Sequence, residues 1–502
     1  MDALLCDELP QEIFHRLPPP SLTAVSLVSK RWHRLLRSSI TSLSLYLPPP
    51  YEPTVIASFS SFLSQHPFLA NLSIATSPFD AVGDNLLLSV SASCPKLRNL
   101  RYLTNPLSPL SLVVISTSCA HLSSISISLS RPLCFHWLRS FSGLKCLALF
   151  FTNPVSELDT YGVEEKNNAF DVEFSLENLY LSGIVSEDRG LGLLWRNCKN
   201  IKKLQLQSCA SLGDFASVSG FVKILKGLRE LELRACRSIV DGVLLKVAEH
   251  CVSLDSLLIY DSGSQEGLMK FINQSKCNLK RLELRLPLDL DNTHLIALAA
   301  NLNFMGLVSL RLESCCLVTG DGLKVLGRTV GVKLEELGLI NCDVVERESG
   351  LLTALGQDLT RLRKLDLSFN EMMVDKELTL MLASCNFLIE LKLRGCRGLT
   401  DKSVASMVWS CRNLQSVDIT CCGIEMEGVE LLVLKSKWLR LLEVEQNKLS
   451  DAARILASSK SIEIERIHLV NDMTAKPARV KSFRFHFFFC GNAFNFISFS
   501  RR

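Results

Sequence analysis

Residues 388–411 read LIELKLRGCRGLTDKSVASMVWSC and contain two different periodicities. The first nine residues follow the pattern L-x-x-L-x-L-x-x-C, and its alternating leucines are typical of a short strand with one buried side. Thr400 or Asp401 can cap the start of a helix. Apolar residues then follow at helical spacing between Val404 and Val408. The stretch therefore predicts one strand, a turn and one helix.

The same pattern recurs along most of the chain, in steps of mostly 25 to 28 residues. Clear copies begin at Ile201, Leu228, Leu307, Leu334, Leu362, Leu388, Leu414 and Leu439. Weaker copies begin at Ile40, Leu69, Leu97, Leu122, Leu144, Leu176, Leu254, Leu279 and Ile464. One such unit cannot bury its apolar side alone, so we expect about 17 units to stack into one solenoid.

Most of the 19 cysteines fall on two positions of this repeat. The ninth position holds Cys209, Cys236, Cys315, Cys342, Cys396 and Cys422. A second position, three residues before the next unit begins, holds Cys94, Cys119, Cys198, Cys251, Cys385 and Cys411. Asparagine replaces cysteine at the ninth position at Asn105, Asn370 and Asn447, which indicates a small buried group that bonds to loop backbone. We expect free thiols, because neighbouring side chains point inward in parallel, and no zinc site, because no paired C-x-x-C occurs.

This pattern resembles the cysteine-containing leucine-rich repeat, most strongly over residues 198–447. The resemblance implies an α/β fold in which residues 40–475 form a right-handed, horseshoe-shaped solenoid. Parallel strands would line its inner face, and helices would form its outer face.

The first 39 residues do not follow the repeat. Leu9 and Ile13 share one helical face, the prolines at 18–20 end that helix, and an apolar stripe from Leu22 to Leu35 predicts further helices. The segment is similar to the F-box, whose pattern is filled by Leu9, Pro10, Glu12, Ile13, Leu17, Ser21, Leu22, Val28, Ser29, Lys30, Trp32 and Leu35. We therefore assign a three-helix F-box to residues 3–39. The alternative is an ordinary helical cap on the solenoid.

The resemblance implies a role in SCF-type ubiquitin ligases. F-box domains dock on a Skp-type adaptor, which joins them to cullin and RING subunits. The repeats would then hold a protein substrate for ubiquitination, and the chain would be a non-catalytic substrate receptor. The candidate adaptor-contacting residues are Leu9, Pro10, Ile13, Leu22, Val25 and Val28.

The candidate substrate-binding residues come from the outward-facing positions of adjacent strands. They are Arg234, Tyr260, Arg285 and Arg311, and strand spacing places them within about 15 Å. Arginine beside an aromatic ring suits a carboxylate or phosphate partner. The alternative is that nearby glutamates neutralise these arginines as surface ion pairs, at Glu232, Glu283 and Glu313.

The bulk composition excludes several classes of partner. A net charge of only +4 argues against nucleic acid, which requires a concentrated basic face. The N-terminal residues MDALLCDELPQEIF do not resemble a secretory signal, and no apolar run is long enough to span a membrane. We therefore expect a cytoplasmic or nuclear protein.

The sequence contains no G-x-S-x-G, P-loop or H-E-x-x-H motif, so we expect neither an enzyme nor a bound cofactor. Two alternatives to the plain ligase receptor are open. One is a binding scaffold that uses its adaptor for assembly rather than degradation. The other is a ligase receptor that also senses a small molecule.

Two segments depart from the repeat. Residues 151–173 form an acidic insertion, which either folds over the inner face as a lid or remains a solvated surface loop. Residues 476–502 form a phenylalanine-rich tail, which either adds an edge strand as a cap or lies outside the packed fold.

Overall fold

A computed structural model describes residues 6–17, 19–47, 53–76, 83–152, 173–285 and 290–467. The acidic insertion, apart from its two ends, and the phenylalanine-rich tail lie outside these residues. The described chain falls into two compact units that meet at Gly227 and Leu228. Within the described residues, no helix is both long and apolar enough to cross a membrane.

The first unit begins with three short helices, α1 (Glu8–Arg16), α2 (Pro19–Ser26) and α3 (Lys30–Ser39). Ser29 begins α3 by accepting a hydrogen bond from the backbone N–H of Trp32 at 3.1 Å. The helices share a small core of Phe14, Val25, Leu35 and Leu36, with Leu17 and Trp32 packed against it. The prediction of three helices before the repeats is therefore confirmed.

The rest of the first unit repeats a strand and a helix. Its strands are β1 (Ser42–Leu47), β2 (Asn71–Thr76), β3 (Asn99–Pro106), β4 (Ser124–Ser130), β5 (Cys146–Thr152), β6 (Asn178–Ser182) and β7 (Lys203–Gln207). Each pairs in parallel with the next along the chain. The helices are α4 (Pro53–Ser64), α5 (Gly83–Ser93), α6 (Pro109–Ser118), α7 (Leu191–Asn197) and α8 (Phe215–Leu225). A short 3₁₀ helix, His136–Ser140, stands where the repeat pattern would place a helix between β4 and β5.

The second unit continues the same architecture. Its strands are β8 (Glu230–Arg234), β9 (Ser256–Tyr260), β10 (Arg281–Arg285), β11 (Ser309–Glu313), β12 (Glu336–Ile340), β13 (Lys364–Asp366), β14 (Glu390–Lys392), β15 (Ser416–Asp418), β16 (Leu441–Glu445) and β17 (Glu463–Ile467). Its helices are α9 (Val240–His250), α10 (Gln265–Gln274), α11 (Asn292–Ala300), α12 (Gly320–Val330), α13 (Asp343–Arg347), α14 (Leu351–Asp358), α15 (Asp375–Leu382), α16 (Asp401–Ser410), α17 (Met426–Lys435) and α18 (Asp451–Ser459). All its neighbouring strands are parallel.

Strand register explains how the repeats bury their leucines. The fourth residue of each repeat lies beside the fourth residue of the next, as in the row Leu310, Leu337, Leu365 and Leu391. Each of these side chains is at most 3% exposed. Full burial of a leucine contributes about 1.5–3 kcal/mol, so every strand is stabilised mainly by its two neighbours. The predicted solenoid of α/β repeats is confirmed in each unit.

The ninth position of the repeat satisfies backbone carbonyls in the turn that follows each strand. Cys342, Cys396 and Cys422 direct their thiols at carbonyls of the preceding repeat, at 3.4, 3.1 and 2.9 Å. Asn370 does the same with its amide, which donates to the carbonyls of Leu339 (2.8 Å) and Leu367 (2.7 Å). The Asn370 side-chain oxygen accepts from the backbone N–H of Cys342 at 2.9 Å.

All eighteen described cysteines are free, as expected. All twelve at the two repeat positions are buried. Burial raises the pKa of the Cys198 thiol to about 12, so this group stays protonated at physiological pH.

Two details near residue 450 differ from the sequence-based expectation. Asn447 is exposed and does not occupy the buried ninth-position site. Lys448, one residue later, instead directs its ammonium at the carbonyl of Cys422 at 2.6 Å. The last repeat also begins earlier than predicted, because Ile464 pairs with Leu442 and is therefore the fourth residue of its repeat, not the first.

Asn370→Ala should lower the free energy of unfolding by about 2–3 kcal/mol, because the Leu339 carbonyl and the Cys342 N–H lose this partner and the Leu367 carbonyl loses one of its two donors. Asn370→Cys should recover part of this loss, because cysteine occupies the same site in neighbouring repeats. Guanidinium unfolding followed by circular dichroism measures both changes.

Asn447→Ala is the matched control, and we expect its unfolding midpoint to equal that of the wild type. Equal midpoints for Asn370→Ala and the wild type would contradict the role given to this amide.

Candidate functional site

The first candidate surface lies on the three N-terminal helices. Leu9 and Ile13, one turn apart on α1, are 51% and 52% exposed. Leu27 and Val28, in the turn after α2, are 82% and 60% exposed. We call these four side chains the F-box surface. Four exposed aliphatic groups on a domain of this size are available for a partner protein.

An ion pair fixes the two halves of the F-box surface at the same end of the helices. The Arg31 guanidinium, at the start of α3, contacts the Asp7 carboxylate just before α1, at 2.6 Å. Asp7 lies two residues before Leu9, and Arg31 lies three residues after Val28. The pair therefore holds the start of α1 beside the turn that carries Val28.

The structure divides the predicted adaptor contacts into three groups. Leu9, Ile13 and Val28 are exposed as expected. Pro10 and Val25 are buried, and Val25 belongs to the small core because its face of α2 packs against α3. The side chain of Leu22 lies outside the described residues. Leu27 was not selected from the sequence, because this residue lies outside the apolar stripe from Leu22 to Leu35. Its position directly before Val28 was the feature that could have indicated a second exposed apolar residue there.

The second candidate surface is the outward face of strands β8–β11. The register brings Arg234, Tyr260, Arg285 and Glu313 into one row across these strands. The Arg234 guanidinium lies over the Tyr260 ring, 4.3 Å from its centre, and also forms an ion pair with Glu232. The Tyr260 hydroxyl donates to the Glu283 carboxylate at 2.6 Å.

The remaining arginines of this face are also paired. Arg285 contacts Glu313 at 3.1 Å. Arg311 contacts Asp366 at 2.9 Å, and Glu336 and Glu283 at 3.5 and 3.6 Å. The glutamate pairs weighed as the alternative in the sequence are therefore present, and the predicted residues do come together. Sequence reasoning missed Glu336 and Asp366 because they come from strands beyond the predicted group.

A glycine allows Arg311 to reach two strands away. Gly338 is the residue on β12 that lies between Arg311 and Asp366. A Cβ at Gly338 would lie 3.1 Å from the Cγ of Arg311, so the absence of a side chain leaves room for the arginine to cross β12. The Arg311 guanidinium, through its ion pair with Asp366, therefore links β11 to β13.

The electrostatics of this face follow from burial and from these pairs. Burial lowers the pKa of Arg311, but Asp366, Glu283 and Glu336 outweigh it and hold that pKa above its ordinary value. Burial, reinforced by the Glu283 carboxylate, raises the pKa of Tyr260, so its hydroxyl remains a donor at physiological pH. The result is a fixed surface of alternating charge, which suits polar contacts with a protein partner.

Two family models match the two regions assigned from the sequence. A family model described as F-box-like matches residues 5–42, and a Leucine Rich repeat model matches residues 410–433. Among solved structures, the chain resembles the "Crystal structure of Rad7 and Elc1 complex in yeast". That match has 14% sequence identity, covers 89% of this chain and 90% of the other, and has a TM-score of 0.40.

The F-box-like match covers the three helices, the leucine-rich-repeat match covers one of the strand-and-helix units, and the same unit recurs on both sides of it. The chain therefore carries an F-box-like segment followed by leucine-rich repeats.

Proposed function

We propose that this protein is the substrate-recognition subunit of an SCF-type ubiquitin ligase. Its F-box binds a Skp-type adaptor, and the outward face of its strands holds a protein substrate. The observation that carries the proposal is the F-box surface: Leu9, Ile13, Leu27 and Val28 are exposed on a segment that matches the F-box-like model.

The energetics of the three helices favour a partner there. Among their described side chains, the buried core consists of four residues, Phe14, Val25, Leu35 and Leu36. The four aliphatic side chains of the F-box surface remain exposed to water. Covering half-exposed side chains of this size contributes roughly 1 kcal/mol each, so an adaptor would both bind this segment and stabilise it.

The repeats would act by proximity. A substrate held on the strand face meets the ubiquitin-charged subunit at a high effective concentration, and the receptor itself makes and breaks no bond. In this proposal the chain is a non-catalytic subunit that works in the cytoplasm or nucleus together with cullin and RING subunits.

Leu9→Asp with Ile13→Asp should weaken capture of a purified Skp-type adaptor by about 100-fold or more, because two apolar contacts are lost and two charges are desolvated. Biolayer interferometry with the full chain measures the affinity. Leu110→Asp with Leu302→Asp is the matched control, because both leucines are exposed on the repeats.

The control variant should bind the adaptor like the wild type, and all variants should keep the wild-type circular dichroism spectrum. Undiminished adaptor affinity in the Leu9/Ile13 variant would refute the assigned surface. Adaptor capture from cells without any cullin would favour the non-ligase scaffold over the ligase.

Arg234→Glu with Arg285→Glu should reduce the amount of protein that is captured by the receptor and accumulates in ubiquitinated form under proteasome inhibition. The two changes remove the cation over Tyr260 and leave Glu232 and Glu313 facing new carboxylates. Quantitative mass spectrometry of affinity-captured material measures the change.

Arg328→Glu with Arg412→Glu makes the same change in charge at two exposed positions away from the strand face. If both charge-reversal variants capture the same substrates as the wild type, β8–β11 is not the substrate-binding face.

A further inference from the structure

A cavity of about 520 Å³ opens in the second unit, where strands β10–β13 end and their turns begin. Its walls come from four consecutive repeats. They include Arg285 and Glu313 at the ends of two strands, the short helix α13, and the turn after β13. The volume is large enough for one long side chain together with a neighbouring residue of a bound peptide.

The walls of the cavity are acidic. The described lining residues include the carboxylates of Glu313, Asp343, Glu346 and Glu371 and one cation, Arg285, so four negative charges stand against one positive charge among them. Glu346 is held in place because one of its oxygens accepts from the backbone N–H of Met372 at 2.8 Å. A basic group in the cavity would therefore lie among carboxylates from three different repeats.

The partners of two of these carboxylates are easily exchanged. Asp343 pairs with Arg347, and Glu371 pairs with Arg397 at 3.4 Å, and both arginine side chains are largely exposed. Exposed pairs of this kind contribute about 0–1 kcal/mol, so a ligand cation can replace either arginine at little cost. Burial raises the pKa of Glu313 more than the nearby Arg285 lowers it, so a cation bound beside Glu313 would stabilise its charged form.

Two apolar side chains, Phe369 and Met372, lie at the rim of the cavity, and Phe369 has an unusual backbone conformation. Phe369 has a positive φ of 63°, in the left-handed region, and its side chain is 48% exposed. The same turn position in other repeats also has positive φ but holds a small or polar residue, as at Ser208, Ala235, Asp261, Ser314, Asn341, Gly395 and Cys421. A bulky residue in this conformation costs about 1–2 kcal/mol. The ring is nevertheless kept at the rim, beside Met372, which is 73% exposed.

The neighbouring repeat leaves room for this ring. Gly395 occupies the equivalent turn position, and a Cβ there would lie only 2.8 Å from a ring carbon of Phe369. The ring thus lies over a glycine on one side and faces the cavity on the other. An aromatic face next to a group of carboxylates is a favourable site for an ammonium or guanidinium ion.

We propose that this cavity binds a lysine or arginine side chain of a protein substrate, while an apolar residue next to it packs against Phe369 and Met372. The inference rests on the proposed function, and it names the class of substrate segment: basic and apolar residues side by side. The same carboxylates repel phosphate and acidic peptides. Among the described residues, no group of His, Cys, Asp or Glu is arranged to hold a metal ion.

The test begins with a phage-displayed library of random dodecapeptides, selected against the purified full chain. We expect the selected peptides to share one lysine or arginine next to a leucine, isoleucine, methionine or phenylalanine. Fluorescence polarisation then compares the best peptide with a version in which norleucine replaces the lysine, or glutamine the arginine. The neutral version should bind at least about tenfold more weakly.

Asp343→Asn with Glu371→Gln should also weaken the basic peptide at least about tenfold, because two of the four carboxylates lose their charge. Glu266→Gln with Glu427→Gln removes two exposed carboxylates elsewhere in the same unit and should leave the affinity unchanged. Selected peptides without a basic residue, or equal loss in both variants, would overturn the inference. Spermidine that displaces the peptide at micromolar concentration would also overturn it, because the ligand would then be a free polyamine.

Phe369→Gly separates binding from stability. Glycine is the residue that best tolerates the left-handed turn, so the variant should melt at the same temperature as the wild type or higher. It should nevertheless bind the basic peptide at least about tenfold more weakly, because the aromatic face is lost. Unchanged peptide affinity in this variant would refute the role of the ring.

The cavity inference and the ligase proposal can be refuted independently of each other. Adaptor affinity is measured in the same preparations, and the cavity variants should all retain it. Normal adaptor binding without any basic peptide removes the cavity inference alone. Basic peptides that depend on the cavity, in a chain that binds no adaptor, support the cavity as a peptide site and remove the ligase proposal.

Discussion

In several repeats, the turn that follows the strand leaves backbone carbonyls inside the protein, and one side chain at the ninth position satisfies them. Cysteine or asparagine at the ninth position does so by bonding to the sixth residue of the previous repeat, as Cys396 does with Leu367 and Asn370 with Leu339. A buried carbonyl that lacks a hydrogen-bond partner lowers the stability of the folded chain by about 1–3 kcal/mol. In the repeats that carry it, this small polar group supports the parallel stacking of leucines and hence the placement of the outward-facing residues.

Regular stacking in turn makes the strand face a fixed surface. Across β8–β10, the side chain at the seventh position of one repeat lies beside the seventh position of the next, so Arg234, Tyr260 and Arg285 form a row without any special local structure. Function-specific features arise where one repeat departs from the rule. Gly338 lets an arginine cross a strand, and Phe369 places an aromatic ring where other repeats have small residues. Both departures lie within neighbouring repeats of the second unit.

The sequence was sufficient for the features that repeat and insufficient for those that occur once. Leucine spacing predicted the strands and their order, because the same leucine positions are buried in each copy of the repeat. The burial of Val25 could not be read from its helical stripe, because a stripe does not say whether it faces another helix or a partner. The residue type of Asn447 alone could not show that it lies outside the ninth-position site, and the neighbouring Lys448 instead bonds to a different carbonyl of the previous repeat, that of Cys422. The cavity was missed altogether, since its walls come from turns of four repeats and only the fold brings them together.

The buried thiols give this protein a built-in set of chemical reporters. An alkylating reagent reacts with the thiolate of an accessible cysteine, so in the folded chain we expect it to modify Cys6 and Cys316, which are exposed. Cys119, Cys251, Cys342 and Cys411 become reactive only when their own repeats open. Because a thiol stands in so many repeats, the order in which the cysteines become labelled would record which part of the chain opens first, without any introduced probe.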